Sequence, residues 1–137
     1  MVLEALEEAL RTDKAEERHV VRGHLTIEHV LPQDWRAHWP LEVVDDPEEH
    51  HRRIGHRDRI KHTIGNLTLV TGKLNPTLSN SPWEKKHQVL QDHSTLFLNK
   101  NLLSAWGNAP FAEAEIEQRG RGLAGLVCQI WPSAQDI

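Results

Sequence analysis

Glu28 and His29 stand side by side in Leu25-Thr-Ile-Glu-His-Val-Leu-Pro-Gln33. Two carboxamides, Asn66 and Asn75, stand nine positions apart in Ile64-Gly-Asn-Leu-Thr-Leu-Val-Thr-Gly-Lys-Leu-Asn75. Carboxylate and amide oxygens suit a hard divalent cation. A neutral imidazole can take a proton from water near pH 7. Together one carboxylate, one imidazole and two carboxamides form a kit for metal-assisted phosphodiester hydrolysis. An oxygen donor set favours Mg²⁺ or Mn²⁺ over Zn²⁺ or Ni²⁺, which imidazole suits better. Singly, each residue has a plainer reading. His29 is one of ten histidines, and Gly65-Asn66 and Asn75-Pro76 are common turn pairs. The combination points to chemistry.

These residues need two strands and a helix to position them. Leu25 to Leu31 is β-branched and alternating enough to read as a strand, ended by Pro32. Adjacent strand residues face opposite sides. Glu28 and His29 therefore share one site only if the backbone curls at Pro32 or the metal lies near the strand edge. Asn66 to Thr71 reads as the second strand. Ser81-Pro82-Trp83-Glu84 predicts a helix start with a cap hydroxyl, Pro in the first turn and a capping-box Glu, running to about Asp92. Further helices are expected over Val2 to Leu10, Pro47 to Lys61, Leu98 to Trp106 and Ala112 to Gln129. Gly55 weakens the second of these, and Gly120, Gly122 and Gly125 the last.

Glu28-His29-x-x-Pro32, then Gly65-Asn66-Leu67-Thr68-Leu69, then Asn75 before a helix, resembles the HNH nuclease motif on a ββα-metal finger. The longer pattern adds Leu78-Ser79-Asn80, Trp83-Glu84-Lys85-Lys86, Asn99, Trp106, Ile116, Arg119 and Ile130-Trp131-Pro132. It is similar to the C-terminal nuclease domain of GmrSD-type modification-dependent restriction and phage-defence proteins, over roughly residues 24 to 132. The resemblance implies an α+β, mostly helical fold with the finger embedded among additional helices. It gives Glu28 the metal and turns His29 toward water and the scissile phosphate. Asn66 would hold the loop and the base through backbone and imidazole hydrogen bonds, and Asn75 would be the second ligand. Many members carry Asp where Glu28 stands, a mild departure. The resemblance also implies that this is the C-terminal part of a longer protein, with an N-terminal NTP-binding or sensor domain as partner.

At 137 residues a single domain is expected, burying roughly 70% of its unfolded surface, with a finger core over about 24–92 and C-terminal helices over about 98–131. Cys128 is the lone cysteine, so no internal disulfide forms and a cytoplasmic setting is natural. No apolar run is long enough for a membrane span. One cysteine and no paired-ligand spacing near the motif argue against a structural zinc centre.

The net charge of −4 is unusual for a DNA-binding protein, but its distribution is uneven. Residues 1–17 and Glu42 to Glu49 are acidic. Residues 50–62 hold five Lys/Arg, four His and one Asp. Arg57, Lys61, Lys73, Lys85 and Lys86 are therefore the expected phosphate contacts to double-stranded DNA; the plainer reading is a solvated basic face. Arg119 fits a DNA contact or a buried ion pair equally well. Two rival functions stand beside the metal-dependent DNA-nicking reading: a non-catalytic DNA-binding module, and a nuclease acting on RNA.

Overall fold

The computed structural model describes residues 2–11, 24–107 and 109–133; residue 1 and residues 12–17 of the acidic N-terminal stretch lie outside them. The fold is α+β and mostly helical, with one two-stranded antiparallel sheet. Strand β1 (Leu25–His29) pairs with β2 (Leu67–Thr71) in a register that sets Leu25 opposite Thr71 and His29 opposite Leu67. β1 is shorter than the sequence suggested. Val30 and Leu31 leave the ladder because Asn66 takes their amides, the first on its carbonyl (2.9 Å) and the second on its side-chain oxygen (2.7 Å).

The strands are joined by a long connection rather than a tight hairpin. It carries Trp35, Trp39 and helix α2 (Pro47–Ile60). Asp46 caps α2 by accepting from the Glu48 amide, Pro47 opens the first turn, and Gly55 is carried within it. One turn of 3-10 helix, Ile64–Asn66, then leads into β2.

After β2 the helix expected from Ser81 to about Asp92 forms, preceded by one further helical turn. α3 is a single turn, Asn75–Leu78, and the chain reverses at Ser79, whose positive φ of 22° cannot continue a helix. α4 (Trp83–His93) follows. The expected capping box at its start does not form. Pro82 is the N-cap with no side-chain bond, and the Ser81 hydroxyl donates instead to the Thr77 carbonyl at 3.1 Å.

Three helices complete the fold. α1 (Val2–Leu10) lays Leu3 and Leu6 against the rest and presents Glu7 to the start of α5 (Phe97–Trp106). The Glu7 carboxylate accepts the Phe97 and Leu98 amides, a cap supplied from a distant helix. α6 (Glu113–Ile130) keeps its three internal glycines helical. The close approach of the 3-10 turn to α6 demands glycine at Gly65: a Cβ there would sit 2.0 Å from the Ile116 carbonyl oxygen and 2.8 Å from the Gly120 nitrogen.

β2 is covered on both faces. Val70 joins the larger core of Val30, Leu31, Trp35, Trp39, Ile60, Leu78, Trp83, Leu90, Leu102, Phe111 and Ile116. Leu69 points the other way, into a smaller cluster with Leu3, Leu6, Leu98 and Leu123. β1 lies outside β2, and Ile27 on it is 44% exposed. The site residues sit where β1 ends. Among the described residues no helix is long and apolar enough to cross a membrane.

Candidate active site

Asn66 organises the end of β1. It is fully buried, and its amide nitrogen donates to the carbonyls of Leu31 and Lys61, both at 2.8 Å. With its oxygen on the Leu31 amide, both N–H donors and one acceptor position are spent on main chain. The expected bond from Asn66 to the His29 imidazole is therefore replaced by backbone ties. Those ties join the exit of β1 to the residue before His62. The result is a pair of imidazoles: the His29 and His62 rings meet edge to face with centroids 5.7 Å apart.

His29 is half-buried and His62 exposed. Burial holds the His29 pKa below its usual value, and the charges of His62, Lys86 and Lys61 push it the same way. His29 is thus biased toward the neutral form a proton acceptor needs. From sequence, His62 was weighed as a phosphate or hydrated-metal contact and left out of the site; its place just before the second strand was the available hint.

On the other face of β1, Glu28 is buried beside Lys86. The Lys86 ammonium lies 3.4 Å from Glu28 Oε1 and donates to the His29 carbonyl at 2.7 Å. Burial pushes the Glu28 carboxyl up and brings the Lys86 ammonium down to about 8, while their mutual attraction opposes both shifts. The second oxygen, Glu28 Oε2, is buried with no hydrogen-bond partner. An orphaned carboxylate oxygen is costly, and a divalent cation would satisfy it. Thr26 shares the Glu28 face of β1, two residues away. Asn75, at the start of α3, donates from Nδ2 to Thr26 Oγ1 at 2.8 Å, which leaves its Oδ1 available. Glu28 and Asn75 thus fit an oxygen-liganded hard cation. Among the described residues there is no cluster of three or more His, Cys, Asp or Glu.

The basic residues divide. Lys73 and Lys85 are exposed. Lys61 is half-buried, its ammonium on the Gln33 carbonyl (3.0 Å) and Asp58 (3.1 Å). Arg57 and Lys86 are corrections: neither is an exposed phosphate contact. The Arg57 guanidinium is buried, donating to the Trp39 carbonyl and ion-paired with Glu113 of α6. Lys86 is 1% exposed. A signal for both was present in the sequence. Lys86 lies three residues after Trp83 and four before Leu90, and Arg57 lies three from both Ile54 and Ile60, so each rides its helix's apolar face. Arg119 is buried as well, but against main chain: its Nη1 donates to the Gly65 and Leu67 carbonyls, both at 2.8 Å.

No curated protein and no solved structure matches the chain. One family does, described as GmrSD restriction endonucleases, C-terminal domain, over residues 1–126. That span takes in the paired strands, both asparagines and every helix but the end of α6, and the chain belongs to this family of restriction endonuclease C-terminal domains.

Proposed function

We propose that this restriction endonuclease domain nicks double-stranded DNA in a metal-dependent reaction of the HNH type, with His29 as general base. The observation that carries the reading is the unpartnered, buried Glu28 Oε2 on the strand that also bears His29, two residues from Thr26, which anchors Asn75. Glu28 Oε2 and Asn75 Oδ1 would hold one Mg²⁺ or Mn²⁺. A bound cation of that kind polarises the phosphate and stabilises the leaving 3′ oxygen.

The chain's own residues do the rest. His29 accepts a proton from a water, which attacks phosphorus in line and leaves 5′-phosphate and 3′-hydroxyl ends. Asn66 holds the end of β1, so that His29 keeps its place. Lys73 and Lys85, with Lys61 behind them, offer positive charge to the DNA backbone. One centre cuts one strand, so a double-strand break takes two domains or two events. Nothing in these residues reads bases. Target choice is assigned to an N-terminal NTP-binding or sensor partner, acting in the cytoplasm in defence against foreign DNA.

The test is a panel of supercoiled plasmid, linear duplex and single-stranded RNA, each with Mg²⁺, Mn²⁺, Zn²⁺ or EDTA. Conversion of plasmid to open circle with Mg²⁺ or Mn²⁺ supports the reading. Metal-dependent cutting of RNA alone, or DNA binding without cleavage under every metal, overturns it.

A further inference from the structure

Lys86 reaches Glu28 and His29 from α4. Its helix neighbours Trp83 and Leu90 are in the larger core, so the stem is fixed by packing rather than by solvent. Its ammonium spans two consecutive motif residues, touching the Glu28 side chain through Oε1 alone and the His29 main chain through the carbonyl. An ammonium is a compact point charge that can occupy one carboxylate oxygen and leave the other free. A guanidinium in the same place would tend to take both oxygens in a fork.

We propose that Lys86 is a positioning residue for the nuclease centre: by holding Glu28 Oε1 and the His29 carbonyl together, it turns Glu28 Oε2 toward the divalent cation and sets His29 in register beside it. This rests on the metal-assisted reading above. It inverts a simple electrostatic expectation. A positive charge next to a cation site repels the ion, so a Lys86 that only neutralised Glu28 would weaken metal binding, and its removal would tighten it. A Lys86 that positions the ligand does the opposite. Removing the support of a metal ligand costs about 10–100-fold in affinity.

Mn²⁺ is titrated into the whole chain, with and without duplex DNA, and free ion is followed by electron paramagnetic resonance, alongside thermal melting. Four proteins are compared: unaltered, Glu28→Ala, Lys86→Met and Lys86→Arg. Lys86→Arg keeps the charge and should fold even if Lys86→Met does not. The expected result is loss of binding in Glu28→Ala and a rise of about tenfold or more in the Mn²⁺ dissociation constant for each folded Lys86 variant. The Mn²⁺ concentration that half-saturates nicking should rise by a similar factor. In the unaltered protein, the Lys86 ammonium resonance should persist when Mg²⁺ is added. Equal or tighter binding in the Lys86 variants, or release of that ammonium to solvent on adding Mg²⁺, overturns the inference alone. No binding by the unaltered protein, or full binding by Glu28→Ala, overturns the metal reading and the inference with it.

Discussion

In the role proposed for it, His29 accepts a proton only while neutral, so the proposed nicking reaction should speed up with pH through its pKa. Burial and the positive charges of His62, Lys86 and Lys61 hold that pKa below the ordinary 6.5. The acid limb of the profile should therefore lie below pH 6.5, and His62→Ala should move it upward by removing one of those charges. A limb above pH 6.5, or one that His62→Ala leaves in place, would refute this. His29→Ala should slow conversion of supercoiled plasmid to open circle by about 10²–10⁴ with the melting temperature nearly unchanged. At this scale the placement of Glu28 and His29 on one strand, and of Asn66 and Asn75 on either side of the next, was legible because the signal is local: neighbours in one strand, and a nine-residue spacing around the other. What each side chain holds was not local. Glu28 meets Lys86 across 58 positions and Arg57 meets Glu113 across 56, and no spacing rule reaches that far. Two basic residues were accordingly read as surface when their charges are satisfied inside.

Elements were legible where periodicity and a stop signal agreed, as in α1, α2 and α5, and less so where tertiary contacts set the boundary. β1 ends at His29 rather than Leu31 because Asn66 competes for the next two amides. The single turn Asn75–Leu78 before Ser79 was not expected, whereas Ser81-Pro82 marked the start of α4. α5 is capped by a carboxylate from α1, a support that its own residues do not show. Glu7→Ala should cost about 1–2 kcal/mol, since it removes a cap and leaves buried amides unpaired, and denaturant melts would measure it. A destabilisation within experimental error would remove Glu7 from the fold's supports. Gly65 fills a stricter role, because the 3-10 turn touches α6 backbone to backbone. Gly65→Ala should cost about 3 kcal/mol by overpacking and lower the melting temperature by roughly 10 °C. Gly122→Ala on α6, where a Cβ meets nothing within 4 Å, is the control and should be neutral or slightly stabilising.

For the whole molecule, net charge said little about the surface that would meet DNA. Removing Arg57 should change stability rather than binding: Arg57→Ala should lose about 2 kcal/mol, a buried-pair penalty discounted because Glu113 is partly exposed. Lys73→Ala with Lys85→Ala should leave melting unchanged, weaken binding to every duplex alike, and flatten the salt dependence by about one unit of slope per contact. Filter binding across salt concentrations separates these outcomes, and a specific loss of DNA affinity in Arg57→Ala would contradict the burial assignment. The placement of β2 between two unequal clusters has a further consequence, for how the molecule opens. The smaller cluster, with α1, Leu69 and Leu98, lies on one face of that strand, while Val30, Leu31 and Val70 belong to the larger one on the other. Release of α1 would expose Leu69 and uncap α5 without freeing the Leu31 amide from Asn66. Amide hydrogen exchange should therefore be graded, faster in α1 and at Phe97 and Leu98, slowest at Val30 and Leu31. In that hierarchy the proposed centre at the end of β1 is among the last parts of the molecule to come undone, and an assembly that pulled on α1 would loosen the scaffold before it disturbed Glu28 and His29.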